Sequence, residues 1–289
     1  IPYGTHLILN ADDPFVNRLR INHKGEITTY GLAKNDYSRK SNINNLDAAY
    51  CPICHRKLEY EYYHYGHIGK YNCPKYDFKR GKVNYEATDI DIDNKLIKIN
   101  EKEVHLPSNF LYTAYFVTGC YTLSKTIGLN DEDILKVIND ENTKTKRLEI
   151  YDFDNRKWQM LVSKNENNLS YKQSLDYILH QDGDKTIILG FDSSSRRYKE
   201  NDISWIWDID FESLNDSSIK NIILIGKFCY DMKLRMEYAG INKEKLILVE
   251  NLDNLSKTIK EKTTGKIFSM VCFDKEIQLK KIIKEENND

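Results

Sequence analysis

The chain has 289 residues, with 43 Lys+Arg against 44 Asp+Glu and a formal net charge of −1. That balance excludes the chain-wide basic footprint of a nucleic-acid binder and leaves only local basic patches open. With 30% charged and 40% hydrophobic residues the composition is globular rather than disordered, and the length suits one large domain or two ordinary ones.

The longest uncharged run, 106–124, is interrupted by Pro107, Ser108, Asn109, Thr113, Thr118, Gly119 and Thr122. It reads as a buried helix, not as the ~20 apolar residues that span a bilayer. The chain opens on Ile1, without a secretory signal, which points to a processed chain or to sequence upstream. Cys51, Cys54 and Cys73 cluster, whereas Cys120, Cys229 and Cys272 stand alone in apolar surroundings. This is no disulfide framework, and a reducing cytoplasmic compartment is expected.

In chain order, Thr5–Leu9 reads as a short buried strand followed by the polar turn Asn10-Ala11-Asp12-Asp13. Pro14 suits the first turn of a helix over 15–19, with an acidic cap before it. Ile27–Tyr30 reads as a second strand that Gly31 ends, and 33–50 as a loop. Residues 51–76 form a compact insert rich in Cys, His and Tyr. The alternating segments within 84–105 predict paired strands, and 109–128 and 131–139 predict helices, the second capped by Asn130. From about 145 the pattern changes. Strand-like runs at 186–191, 221–225, 245–249 and 266–273 alternate with helical runs at 169–179, 229–239, 252–262 and 274–285, which predicts a mostly parallel α/β sheet.

Three motifs carry chemistry. Cys51-Pro-Ile-Cys54, then 18 residues, then Cys73-Pro-Lys-Tyr76 has the spacing of a four-cysteine zinc ribbon with Tyr76 in the fourth place. A phenol that titrates near ~10 is a poor zinc ligand. His64, His67, His55 or water would then substitute, or the ribbon has lost its metal and holds by tyrosine packing. Ser204–Glu212 places two tryptophans and three carboxylates in nine residues. If extended, it sets Trp205, Trp207 and Ile209 on one face and Ile206, Asp208 and Asp210 on the other. Aromatic anchors beside a presented carboxylate orient a histidine or bind a partner; ordinary solvated acids on a strand are the plainer alternative. The turn at 10–13 follows a strand, where α/β sheets place ligands, although a plain helix cap explains it too. Gly-x-x-x-x-Gly-Lys-Ser/Thr, Gly-x-Gly-x-x-Gly, His-Glu-x-x-His and Gly-x-Ser-x-Gly are all missing from the sequence.

Together these segments resemble the MurT family, the Mur-ligase-like subunits of lipid II isoglutaminyl synthase, over nearly the whole chain. Leu9–Pro14 resembles the Asn-x-Asp-Asp turn of Mur ligase central domains, 51–76 the zinc-ribbon insertion, and Arg147-Leu148-Glu149 the opening of the C-terminal domain. Asp202–Glu212 is similar to the most specific signature, and Tyr230–Arg235 with Tyr238-Ala239-Gly240 to the helix after it.

The resemblance implies an α/β fold: a Mur-ligase-type central-domain portion over 1–144, with a ribbon insertion at about 47–80, and a Rossmann-like C-terminal domain over 145–289. It implies ATP with Mg, which activates the D-glutamate α-carboxylate of lipid II for amidation to D-isoglutamine in peptidoglycan synthesis. It further implies a glutaminase partner resembling GatD and work at the inner membrane face. An Asp lent to the partner's triad falls on Asp208, with Asp210 and Asp202 less favoured. Asn10 falls near the nucleotide base and Arg147 near the phosphates, with Asp13 a further cofactor-binding position; Cys51, Cys54, Cys73 and Tyr76 take the places of the metal ligands.

The departures are concrete. The Gly-Lys-Thr phosphate loop, which lies upstream of this region in Mur ligases, is not in this sequence. Leu111 and Ala114 stand where the family has Asn, and Lys164-Asn165-Glu166 replaces Lys-Asn-Pro. Two other readings remain: a degenerate ligase that docks an amidotransferase without ATP chemistry, and a ribbon that stacks single-stranded nucleic acid on Tyr60, Tyr62, Tyr63 and Tyr65. Glu59 and Glu61 oppose the latter by repelling phosphate.

Overall fold

In the computed structural model, which describes residues 2–40, 47–140, 148–163, 168–192 and 202–286, local chemistry sets the first elements. β1 (Leu7–Asn10) runs into the acidic turn, and Asp13 Oδ1 accepts from Phe15 N at 2.8 Å and Val16 N at 3.3 Å. Pro14 takes the first helical position, where a missing N–H is harmless. The helix, α1 (Pro14–Asn17), is one turn that tightens into a 3-10 turn over Arg18–Arg20.

β2 (Ile27–Leu32) lies parallel to β1, with Leu9 opposite Thr29. The strand runs through Gly31 instead of ending there. A Cβ at 31 would sit 2.7 Å from the Asp12 carboxylate, so this glycine lets a buried acid approach the backbone. β3 (Glu59–Tyr65) and β4 (Ile68–Asn72) form the antiparallel hairpin of the insert. β5 (Tyr85–Asp91) returns beside β2 in parallel, and β6 (Leu96–Ile99) and β7 (Lys102–His105) add antiparallel edges, in the order β1-β2-β5-β6-β7.

α2 (Leu111–Thr126) presses Leu111, Ala114, Tyr115 and Tyr121 into a core with Leu32, Ala87, Ile97, Ile99 and Val104. Its other face leaves Phe116, Cys120 and Leu123 exposed, so the run 106–124 is amphipathic in place rather than buried throughout, and Cys120 is not enclosed by apolar neighbours. α3 (Asp131–Ile138) starts at Asn130, whose Oδ1 accepts from Asp133 N at 2.9 Å.

The chain divides into two units, Ile1–Thr145 and Lys146–Asp289, each with its own core. The second unit opens with β8 (Leu148–Phe153) and β9 (Arg156–Ser163), an antiparallel pair that the strand–helix alternation does not foresee. Then come α4 (Asn168–His180), β10 (Lys185–Gly190), β11 (Ile219–Ile225), α5 (Cys229–Tyr238), β12 (Leu246–Val249), α6 (Leu255–Lys262), β13 (Lys266–Cys272) and α7 (Phe273–Glu286).

The sheet order is β12-β11-β10-β13-β9-β8, parallel from β12 to β9. The all-apolar runs follow from this: a parallel strand buried on both faces cannot alternate. Ile188, Ile223, Ile225, Ile267 and Val271 meet Leu255, Ile259, Leu279 and Ile283 from the helices. Strand order reverses between β10 and β13, the position where open α/β sheets form a crevice at the carboxyl ends of their strands. Among the described residues, no helix is long and apolar enough to cross a membrane.

Candidate functional site

The first unit gathers its polar residues at the turn after β1. Asn10 Oδ1 accepts from Asp12 N at 3.0 Å, which closes a side-chain-supported turn, while the Asn10 amide N–H2 makes no hydrogen bond among the described residues. Asp12 is fully buried. It accepts from Leu32 N at 2.8 Å, from the Tyr115 hydroxyl at 2.7 Å and from Arg80 Nε. Arg80 also donates to Leu32 O at 3.0 Å and Glu86 Oε1 at 2.7 Å. Burial works against the Arg80 charge, but the Asp12 and Glu86 carboxylates outweigh it and hold the guanidinium above its ordinary value. Burial likewise pushes the Tyr115 phenol up, with Asp12 adding to the shift.

The insert is built onto this turn. Gly69 N donates to Asp12 O at 2.9 Å, His67 Nε2 lies 3.3 Å from Asp13 Oδ1, and Asn17 Nδ2 donates to the Tyr71 hydroxyl at 2.6 Å. His64 is buried as well. Its Nε2 faces Leu32 O at 3.4 Å, and its Nδ1 faces Asn35 Nδ2 and Ser38 Oγ. That pattern suits a neutral ring, and burial indeed pushes its pKa down against the pull of Asp12. His64 and His67 are therefore part of the turn's support and not donors to the thiol cluster, contrary to the substitution read from spacing. His55 is exposed and stands outside the cluster too.

The thiols of Cys51, Cys54 and Cys73 lie within 4.8 Å of one another, with Cys54 Sγ 3.5 Å from Cys73 Sγ. Ile53 N donates to Cys51 Sγ and Tyr76 N to Cys73 Sγ, at 3.4 and 3.3 Å. Tyr76 itself is 45% exposed, with the Lys75 ammonium over its ring. Among the described residues no His, Cys, Asp or Glu joins the three thiols as a fourth ligand. The tyrosines of the hairpin pack on one another: Tyr60 stacks on Tyr63 with ring centroids 4.2 Å apart, and Tyr62 is buried.

In the second unit the segment after β10 is not the extended strand that the alternation of 204–212 suggests. It forms two 3-10 turns, Ser204–Asp208 and Phe211–Asn215. The cause is Arg235 on α5, which is buried and donates to Ile206 O at 3.2 Å, to Ile209 O at 2.7 Å and to Glu212 Oε2 at 2.9 Å. Its guanidinium also lies 5.5 Å from the ring centroids of both Trp207 and Phe211. The two tryptophans consequently part. Trp205 packs inward on Tyr171 and Phe191, while Trp207 is 47% exposed, edge-on to Tyr238.

The three candidate aspartates, Asp202, Asp208 and Asp210, separate as well. Asp208 is exposed between the clamped carbonyls of Ile206 and Ile209. Asp210 pairs with the buried Lys172 at 3.2 Å, and Lys172 also pairs with Asp176 at 2.9 Å. Asp202 Oδ1 accepts from Ser204 N at 2.8 Å, which holds its carboxyl below the usual range. Arg147 and Lys164–Glu166 lie outside the described residues. Sequence reading missed Arg235, Arg80 and Asp12 as organisers, because each acts on residues far away along the chain.

An α/β chain with these two units has the fold of the Mur-type peptide ligases. It superposes on a pseudomurein peptide ligase type C from Methanothermus fervidus with a TM-score of 0.69 at 20% identity, covering 97% of this chain and 56% of that one. For MurF from Acinetobacter baumannii the TM-score is 0.60 at 17% identity, covering 99% and 53%.

Within that fold the likeness narrows to MurT. Residues 164–273 match the family model described as MurT ligase C-terminal. The chain is 30% identical over 248 residues to the MurT subunit of lipid II isoglutaminyl synthase (glutamine-hydrolyzing) from Staphylococcus aureus (strain COL), covering 86% of this chain and 55% of that subunit. It is 21% identical over 287 residues to the same-named subunit from Streptococcus pneumoniae (strain ATCC BAA-255 / R6), covering 98% and 62%. The resemblance to MurT read from the sequence holds, and the chain spans little more than half the length of these relatives.

Proposed function

We propose that the chain is a MurT-like subunit of a glutamine-hydrolysing ligase that amidates the D-glutamate α-carboxylate of lipid II in peptidoglycan synthesis. In this reading Asp208 completes the triad of a GatD-like amidotransferase partner. The observation that carries it is the Arg235 clamp, which fixes the backbone on either side of an exposed Asp208. A carboxylate presented this way accepts a histidine N–H, sets the tautomer and stabilises the imidazolium without itself taking the proton. Trp207 and Tyr238, exposed beside it, supply the apolar contact that an incoming subunit covers. Asp210 is half-buried and pairs with Lys172, whereas Asp208 is on the surface.

Residues 1–144 act as the carboxyl-side part of a Mur-ligase central domain and 145–289 as the Rossmann-like domain. ATP with Mg, if bound, would supply the activating phosphoryl group. The Asn10 amide N–H2 is available to a base acceptor, and Asp13 holds the turn by capping α1. Work on lipid II puts the complex in the cytoplasm at the inner membrane face.

The test is glutamine hydrolysis by the partner with and without this chain. Wild type is expected to stimulate hydrolysis and Asp208→Asn to assemble without stimulating it; full activity in the variant refutes the role. A second reading, a docking module without ATP chemistry, is favoured by one observation: Asn10 Oδ1 and Asp13 Oδ1 are both engaged by the chain's own backbone. Calorimetry decides between them, since micromolar Mg-ATP binding contradicts the module.

A further inference from the structure

The chain as a whole is balanced in charge, but two of its segments are not. Residues 14–24 and 50–57 contain Arg18, Arg20, Lys24, Arg56 and Lys57 and no Asp or Glu, in a chain whose net charge is −1. We propose that the face these two segments form binds the surface of an anionic lipid bilayer. The choice of a bilayer over an acidic protein rests on the ligase reading, in which the substrate is a lipid.

The two segments share one surface. Arg18, Leu19, Ile21, Asn22 and His23 line a groove of about 430 Å3 together with Pro52 of the first cysteine knuckle. The 3-10 turn Arg18–Arg20 that follows α1 buries none of its residues. Leu19 and Ile21 stand in solvent, and Phe15, Tyr50 and Ile53 are exposed as well. Apolar side chains gathered on an exposed face mark a surface that meets something other than water. The cations are equally unspent. Lys70 and Lys79, elsewhere on the insert, pair with Glu61 and Asp77 at 2.7 Å each. Arg18, Arg20, Lys24, Arg56 and Lys57 are exposed and form no ion pair among the described residues. Arg18 instead lies over the Phe15 ring, 5.1 Å from its centroid.

This mixture matches a headgroup layer. Cations within a Debye length of an anionic leaflet are drawn to its negative potential. Long Arg and Lys stems leave their charge at the phosphates while neighbouring aliphatic groups reach deeper, and tyrosine suits the boundary between the two. A nucleic acid would satisfy the cations but offers no apolar layer to Leu19, Ile21 and Ile53. The flanking acids are engaged elsewhere: Asp13 caps α1 and faces His67, and Glu26 lies 3.2 Å from His6. The face begins directly after the Asn10–Asp13 turn, so a bilayer held there would bring that turn to a lipid-borne substrate.

The test is sedimentation of the full chain with phosphatidylcholine vesicles, with and without phosphatidylglycerol. Binding is expected only to the vesicles that contain phosphatidylglycerol, and should weaken as salt is raised. The triple variant Arg18→Gln, Lys24→Gln, Arg56→Gln should bind on the order of a hundredfold more weakly, at roughly fivefold per charge. Leu19→Ser with Ile53→Ser should lose binding severalfold with every charge retained. Lys257→Gln with Lys262→Gln, which removes exposed charge from the second unit, should bind as wild type. Three results overturn the proposal: no binding of wild type to anionic vesicles at low salt, equal weakening by the control pair and the triple variant, or a single-stranded oligonucleotide that binds wild type more tightly than the vesicles do. The vesicle measurement uses neither the partner, glutamine nor ATP. Its failure therefore leaves the ligase reading to stand on glutaminase stimulation, and loss of that stimulation leaves vesicle binding to be read on its own.

Discussion

Asp12 and Asp208 both sit in segments that follow a strand, and the structure treats them in opposite ways. Asp12 is wholly buried and saturated by Arg80, Tyr115 and Leu32 N. Asp208 is exposed, and the neighbouring arginine holds the backbone on either side of it. In the first case the arginine neutralises the acid and the pair becomes scaffold. In the second the arginine directs its donors to the carbonyls of Ile206 and Ile209 and to Glu212, and the acid itself stays on the surface. An acid's proximity to arginine therefore says little about its role; what the guanidinium donates to says more.

The contrast can be broken by substitution. Asp12→Asn should be the most damaging change, since it removes the buried carboxylate charge on which Arg80, Tyr115 and Leu32 N converge, and about 3 kcal/mol of stability is expected to go. A urea midpoint within error of wild type would show that Asp12 is no scaffold. Arg235→Met should lose about 2–3 kcal/mol, the scale of one or two hydrogen bonds from a charged donor, and should red-shift tryptophan emission as Trp207 loosens. Unchanged emission would dissolve the clamp.

A third measurement uses pH. Burial pushes the His64 pKa down, so the unfolded chain takes up a proton near ~6.5 that the folded chain refuses. The stability tied to His64 is thus present above that pH and is lost as pH falls through it, with a slope of at most about 1.4 kcal/mol per unit. His64→Gln should flatten the wild-type curve between about pH 7 and 5; equal slopes would remove the buried imidazole from the account. The smallest effect belongs to Asp208→Asn, expected to stay within about 0.5 kcal/mol of wild type while glutaminase stimulation disappears. A large loss of stability there would turn Asp208 into a second Asp12.

Much of the fold was legible because it rests on local rules. Pro14 after an acidic cap, Asn130 before α3, and apolar runs alternating with helices in the second unit depend on neighbours a few residues away. The candidate sites were legible in composition and not in geometry. Ser204–Glu212 stood out for its tryptophans and acids, but its 3-10 path is imposed by Arg235, 26 residues beyond Ile209. Gly31 looked like a strand end because its true partner, the Asp12 carboxylate, is a tertiary contact. The Asp12 network gave no local signal at all, since Arg80 and Tyr115 lie 68 and 103 residues away. Spacing offered His64 and His67 to a metal, whereas the hairpin turns both toward the acidic turn.

The hairpin's seat on that turn has a kinetic consequence. Gly69 N–H, the Tyr71 hydroxyl and Arg80 each tie the insert to the 12–17 segment, so neither can open without the other. The amides of β4 and of the turn after β1 should then exchange with deuterium at a common rate, as one cooperative opening unit that joins segments some fifty residues apart in sequence. Within the first unit, an insertion between β2 and β5 thus becomes the latch on the turn that follows β1.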